Sequence, residues 1–497
     1  MNYCFNKIAM TLKLNTIFDA AKKVPVPFLK GVIARSRATK QSQKMGLPRP
    51  LRGLAMTLLA TRYLRIANLC FAATILLSSV PIILHATEGV MVYFSSSTSA
   101  GPFSPSYSTS AAGGFDGTET KLSMATPQYS GVDQTGYWIV KSNPYTNESF
   151  LITFSNDSKA YQTQYWNGSS WQLTGSTACW TIGTGAIGVR HFDFTYFAND
   201  PTDKRGIAVY YRSAAPRMAY RLWYSTAGTI DTVDRDTGLG ARIYRWTRLE
   251  PIPGTNKVIC VALSPTAGQR LISAVYDNTW GAEKVLADAS IPDSTTMPRV
   301  FDVAVENSGE AMAVWVDTNN TTSLSYSTWT SAGGWSASSM SVGYNVTYST
   351  RTQWVRLVTK PNSDEIKLVF SKSPATTGTQ ELHAVTWNGS SWGTGSFISG
   401  NTTGSSEQRF DVNYERGSGD CLIAFSSSTN TPPSYTTRAS GTTSWSAVGQ
   451  ASDWGTDLQG QWYRLVREEA PSSDDIYLMV NTSSDTVGYA VAWQKWN

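Results

Sequence analysis

Four tryptophans, Trp138, Trp246, Trp354 and Trp462, stand 108 residues apart at every step. Between them Phe192-Asp193, Phe301-Asp302 and Phe410-Asp411 recur every 109 residues. A fixed spacing of this kind constrains the fold more than any local propensity. Each repeat is one supersecondary unit that buries its apolar faces only against its neighbours. The two series interleave, so the true period is a pair of units, one opening on Trp and one on Phe-Asp.

Trp387-Asn388-Gly389-Ser390-Ser391-Trp392 occurs unchanged at Trp166 to Trp171. An Asn-Gly pair between β-like runs predicts a tight type I′ hairpin, in which both central residues need φ > 0. The flanking tryptophans are placed for cross-strand packing. Looser copies end at Phe115, Ile230, Trp280, Trp335, Trp445 and Trp496. From Trp171 to Trp496 there are 325 residues in six steps, about 54 per unit, a propeller-blade period slightly longer than the WD type.

One unit reads as four short strands. Arg409 to Glu415 is the first, a Gly-Ser-Gly-Asp turn leads to Cys421–Phe425, and Tyr435 to Arg438 and Trp445 to Val448 follow. Such a meander is a blade, with the hairpin tryptophans between its third and fourth strands. The expected fold is all-β: a β-propeller of eight four-stranded blades, because alternating types close a ring only in even number. A seven-bladed ring is the competing arrangement. The first unit, Gly89 to Phe115, matches the Phe-Asp type: Val92 to Thr98 parallels Ile423 to Thr429. The chain stops soon after a third strand beginning at Gly488, so the last blade is expected to lack its outer strand or to borrow one from the N-terminal segment.

The net charge of +5 is uneven: residues 1–65 hold 13 Lys/Arg and one acid, and the remainder holds 28 basic against 35 acidic residues. The expected propeller, residues 87–497, is therefore mildly acidic, which argues against nucleic-acid binding. Residues 1–55 read as a basic, disordered extension. The stretch Val32 to Ser42 with Leu47 to Thr57 resembles translated bacterial palindromic repeat DNA. Residues 56–86 read as a secretory signal with its own start at Met56: Arg62 and Arg65, an apolar run from Ile66, and small Ala86. Two alternatives stay open. Residues 66–85 can act as a single membrane anchor, or Ile82 and Leu84 can belong to a strand. Of five cysteines, Cys260 and Cys421 sit in apolar runs as buried thiols, and no disulfide framework or metal pair is present. No metal or cofactor is expected, and the chain is expected to be a monomer.

Candidate site residues fall into two groups. Arg248, Arg356 and Arg464 lie two residues after an opening Trp, and Asp193, Asp302 and Asp411 follow an opening Phe. First strands are innermost in a propeller, so neighbouring blades would offer Arg and Asp alternately near the axis. That pattern serves either an inter-blade ion-pair ring or a charged channel mouth for a small polar ligand. Val140 breaks it in the first Trp-type unit. The hairpin residues Trp166, Trp171, Trp387 and Trp392 suit cross-strand packing or stacking on sugar rings. His85, His191 and His383 are the whole histidine complement, and no catalytic triad, metalloprotease, P-loop or calcium motif appears. Carboxylates such as Glu310, Glu365 and Asp475 fall in turns. The insertion Asp231 to Asp236 is where a repeat-breaking acid pair would sit.

The repeat as a whole (Trp-Val-Arg-Leu, Asp364-Glu365-Ile366, the Trp387–Trp392 hexapeptide, Phe-Asp-Val) resembles arrays in exported bacterial propeller proteins of unassigned activity. There is a looser likeness to sialidase-type propellers, whose Ser-x-Asp-x-Gly-x-Thr-Trp box is absent here. The resemblance implies a fold and export to the cell surface or beyond, and no reaction. The function expected is a non-catalytic propeller that binds glycans or partner proteins at the bacterial surface. The alternative is a glycoside hydrolase or lyase of sialidase-like type.

Overall fold

A computed structural model describes most of residues 137–496, apart from short connecting segments, and 90–95, 104–111, 114–115 and 120–121 before them. The basic extension, the signal-like segment 56–86, the strand reading of Ile82 and Leu84, and His85 lie outside the described residues. Among those described, no helix is long and apolar enough to cross a membrane.

The described chain is all-β and forms eight antiparallel sheets, each a meander of consecutive strands. They are numbered here in chain order. Sheet 1 opens with Val90–Ser95, sheet 2 with Tyr137–Ser142, sheet 3 with Phe192–Tyr196 and sheet 4 with Trp246–Pro251. Sheet 5 opens with Phe301–Val305, sheet 6 with Thr350–Thr359, sheet 7 with Phe410–Tyr414 and sheet 8 with Gln459–Arg467. Sheet 8 has three strands. In sheets 2 to 5 the outer strand is broken in two, and both pieces pair with the third strand; in sheet 1 the two short pieces pair with Ser104–Ala111. In sheet 7 that outer strand is Gly449–Gln450, not Trp445 to Val448 as the spacing suggested. There Ser446 joins Thr437 through its backbone N–H, and its hydroxyl takes the Thr437 amide, so the chain follows the edge without a regular ladder.

Second strands show why the sheets stack. Lys257–Ser264 reads Lys-Val-Ile-Cys-Val-Ala-Leu-Ser and is buried from Val258 onward. An unbroken apolar run of this length is a strand covered on both faces, and each face here meets a neighbouring sheet. The core therefore lies between sheets. One cluster runs through sheets 4 to 7, and others join sheets 3 and 4, 2 and 3, and 7 and 8. First strands of consecutive sheets from 2 to 8 lie side by side, and Val90–Ser95 runs beside Gly488–Trp496. The openers Trp246 and Trp354 belong to sheets with sheet 5 between them, yet their rings meet edge-on at 5.9 Å. First strands must converge for that to happen.

The pairing of units has a physical basis. Thr247, Val355 and Tyr463 donate their backbone N–H to Arg190, Arg299 and Gln408 carbonyls at 3.0–3.1 Å. These bonds join sheet 3 to 4, 5 to 6 and 7 to 8. The same three boundaries carry a carboxylate on a backbone amide: Leu249 N–H on Asp193, Leu357 N–H on Asp302 and Leu465 N–H on Asp411, at 2.9–3.0 Å. Across the sheet 4–5 and 6–7 boundaries the first strands are joined by side chains, Arg248 on Asp302 and Arg356 on Asp411.

The hexapeptide is a hairpin, with Trp166 paired to Trp171 and Trp387 bridged to Trp392. Its turn differs from the one predicted. Gly168 and Gly389 have φ of +95° and +92°, while neither Asn167 nor Asn388 is left-handed. Each loop is four residues long and closed by a backbone bond, Asn167 N–H to Ser170 O and Asn388 N–H to Ser391 O. The asparagine serves as a cap: Asn388 Oδ1 accepts from the amides of Ser390 (3.0 Å) and Ser391 (2.8 Å). Asn167 does the same for Ser169 and Ser170. Side-chain amides that mimic a backbone turn in this way favour Asn without any positive φ.

Candidate functional site

The candidate arginines and aspartates form one inter-sheet ladder. Asp302 Oδ1 accepts from Arg248 Nε at 2.9 Å, and Asp411 Oδ1 from Arg356 Nε at 2.8 Å. Arg248 also lies 3.5 Å from Asp193, and Arg356 lies 3.3 Å from Asp302. Arg464 meets Asp411 only at 3.9 Å. The three aspartates are buried, which alone would raise the carboxyl of Asp302. Arg299, Arg248 and Arg356 together hold it well below the usual range instead. Burial works against the Arg248 guanidinium, but Asp302, Glu250 and Asp193 hold its proton more firmly than usual.

Arg190 and Arg299, which the sequence reading did not single out, precede two of the Phe-Asp openers. Arg299 donates to Asp302 at 3.1 Å and to Val355 O at 3.2 Å. Arg190 Nη2 donates to Trp138 O at 3.3 Å. Burial lowers both guanidinium groups, Arg299 to about 9. Their 109-residue spacing was the available signal, and Gln408 interrupts it.

The hairpin tryptophans divide by depth. Trp166 and Trp387 are buried, and Trp171 and Trp392 are half-buried. Trp387 donates its indole N–H to Glu306 at 2.5 Å. Tyr326 of sheet 5 packs on both Trp387 and Trp392, with ring centroids 5.9 and 5.8 Å away. Tyr220 of sheet 3 packs in the same way on Tyr276 and Trp280 of sheet 4. Both tyrosines stand three residues before their own sheet's hairpin aromatic, Trp223 or Trp329. The same position is Tyr435 in sheet 7, but Thr163, Ser273 and Ala384 in sheets 2, 4 and 6. Aromatic plugs thus alternate with small residues along the chain.

At one small-residue boundary the structure has a cleft of about 190 Å³, between sheets 4 and 5. Ser273, Gly281 and Lys284 line it from sheet 4, and Trp329, Gly334 and Trp335 from sheet 5. Trp335 is half-buried, and its indole N–H donates to Ser273 Oγ at 3.0 Å. The Ser273 hydroxyl in turn donates to Cys260 O at 2.7 Å, which fixes its lone pairs. The cleft therefore offers an aromatic wall, held in orientation by the buried Ser273 hydroxyl, and the Lys284 ammonium.

The insertion at Asp231 does not present free acids. Asp234 accepts from Tyr210 (2.5 Å) and Arg221 (2.7 Å) and pairs with Arg212. Asp236 pairs with Arg217, and Asp231 with Arg235. Two other carboxylates recur at equivalent places: Glu365, read from the sequence as a turn residue, and Glu148, which was not singled out. Glu148 accepts from Tyr196 (2.7 Å) and Trp223 (2.8 Å), and Glu365 accepts from Tyr414 (2.7 Å). The pairs are two double-units apart, so each ties a Trp-type sheet to the next. Glu310 and Asp475 remain turn residues by position. His191 is buried edge-on to Phe154, and His383 stacks on Phe370 between Glu381 and Tyr344. Cys260 and Cys421 are free and buried, and burial pushes the Cys421 thiol up to about 12. No group of acids, histidines or cysteines among the described residues is arranged to hold a metal.

No protein-family model and no curated protein matches the chain. Among solved structures it is similar to the six-bladed β-propeller lectin of Aleuria aurantia, described with a fucose recognition mode. Identity there is 13%, covering 64% of this chain and 96% of the lectin, with a TM-score of 0.36. It is also similar to an ulvan lyase of a polysaccharide lyase family at 8% identity, covering 73% and 91%, with a TM-score of 0.43. A prolyl endopeptidase matches at 10% identity, covering 73% of this chain and half of its own, with a TM-score of 0.40.

Proposed function

We propose that this chain is an exported, non-catalytic eight-bladed β-propeller that binds a carbohydrate ring in the cleft between sheets 4 and 5. The observation that carries this reading is the Trp335–Ser273 pair. A half-buried indole whose orientation is fixed by a buried hydroxyl offers a sugar an apolar ring face to lie on. Lys284 at the wall adds a donor cation. The eight-blade ring is supported by the eight sheets, by the alternation of their types and by the approach of the first sheet to the last strand. The Asp231 to Asp236 carboxylates, each engaged with an arginine, give a hydrolase reading no acid pair.

The test is a tryptophan-fluorescence titration of the full chain with neutral, uronate and sulfated monosaccharides. A saturable change is expected for at least one class, weakened roughly tenfold or more by Trp335→Ala. Equal binding by wild type and the Trp335→Ala chain, or none by wild type, sinks the proposal.

A further inference from the structure

At the boundary of sheets 6 and 7, two cations stand where the repeat elsewhere places apolar side chains. Lys367 lies on the second strand of sheet 6, Glu365–Pro374. Ile259 and Leu151 hold the same place in sheets 4 and 2, one and two steps of 108 residues back, and both are buried. Arg438 ends the third strand of sheet 7, Ser434–Arg438, where it pairs with Cys421 as the hairpin aromatic Trp329 pairs with Ala311 in sheet 5. A charge at a core position costs stability unless something balances it.

The two cations meet on one hydroxyl. Thr386 Oγ1 accepts from Lys367 Nζ and from Arg438 Nη1, each at 2.5 Å, so both of its lone pairs serve cationic donors. The Trp445 ring lies 5.5 Å from Lys367 Nζ. The carboxylate beside them, Glu365, is 3.7 Å from Lys367 Nζ and already accepts the Tyr414 hydroxyl. Arg438 Nε donates to Thr442 O, and among the described residues this guanidinium has no carboxylate partner. Two cations thus face one carboxylate, and one positive charge is left unbalanced. The Lys367 side chain is only 1% accessible, so water screens its charge little. Arg438, Thr386 and Trp445 are half-buried and give the cluster an open side. A guanidinium matches a two-oxygen anionic group on that side. We propose that this boundary binds a singly charged oxyanion, the carboxylate or sulfate monoester of a ligand, on Arg438 with the Lys367 ammonium behind it. The site is separate from the sheet 4–5 cleft and does not depend on what that cleft binds.

The test is thermal unfolding of the full chain at fixed ionic strength while sodium acetate or sodium methyl sulfate replaces sodium chloride. A saturable rise in Tm of a few degrees is expected with at least one of them, as for any ligand that binds only the folded state. The anion that acts at lower concentration names the group. Arg438→Met and Lys367→Met each move the response to roughly tenfold higher concentration or abolish it. Arg270→Met, which removes an exposed guanidinium paired with Asp288, leaves it unchanged. Burial lowers the Lys367 ammonium to about 8, while it pushes the Cys421 thiol up to about 12 and the Tyr414 hydroxyl well above its usual value. The wild-type response is therefore expected to weaken between about pH 7 and 9 as the ammonium loses its proton, and this measurement decides if neither variant folds. Chloride matching both anions on wild type, a wild-type response that does not weaken over that pH range, or an equal response in a folded Arg438→Met chain overturns the proposal.

Discussion

Arg248 and Asp302, 54 residues apart in the chain, meet at 2.9 Å between Nε and Oδ1. The other oxygen of the same carboxylate takes the Leu357 N–H, also at 2.9 Å. One fully buried side chain on sheet 5 thus fastens the sheet before it and the sheet after it.

Removing that carboxylate leaves Arg248, Arg299 and Arg356 facing one another without their common anion. Stripping one partner from a buried pair costs about 3–5 kcal/mol. Asp302→Asn is expected to lose stability of that order in urea unfolding. A loss under about 1 kcal/mol, the value typical of exposed pairs, contradicts the role given to Asp302.

Glu306 gives a pH signature. Burial raises its carboxyl to about 7, although Trp387 and Ser308 both donate to it. A carboxyl whose folded value lies above its unfolded one stabilises the fold below the unfolded value and loses that contribution as pH rises through the folded one. Stability is therefore expected to fall between about pH 4.5 and 7, by up to about 3 kcal/mol. Glu306→Gln should flatten this slope. An unchanged profile in the Glu306→Gln chain would show that the slope has another origin.

The hairpin cap separates two roles for asparagine. Asn388→Ala removes both backbone hydrogen bonds that Oδ1 accepts, with those from the Ser390 and Ser391 hydroxyls, and is expected to cost about 1–2 kcal/mol. Asn388→Asp keeps both acceptor positions and should cost much less. Were Asn388 needed for a left-handed backbone instead, the two substitutions would hurt alike.

Much of the fold was readable because strand length, turn chemistry and spacing are local properties. The first three strands of the 409–450 unit and the Trp166–Trp171 and Trp387–Trp392 hairpins follow from residues near one another in sequence, and the pairing of units follows from the spacing of the openers; the fourth strand of the 409–450 unit formed at Gly449–Gln450, beyond Trp445 to Val448. The turn type was not readable: Asn-Gly satisfies two geometries, and only the following Ser-Ser, whose amides the asparagine caps, separates them. The ladder was readable as an alternation, but not its filling. Arg299 enters it from outside the strand, and nothing in the spacing sets the 3.9 Å separation of Arg464 from Asp411. The cleft was the least readable. Thr163, Ser273 and Ala384 look like ordinary strand residues until the hairpin of the next sheet is set against them.

Ser273→Tyr tests the account most directly. It places at the sheet 4–5 boundary the side chain that Tyr220 and Tyr326 already place at the boundaries on either side. The Ser273→Tyr chain is expected to fold, with unfolding cooperativity like wild type, and to lose the saturable monosaccharide response. A folded Ser273→Tyr chain that binds the same sugar with unchanged affinity would contradict the assignment of the cleft as the binding site.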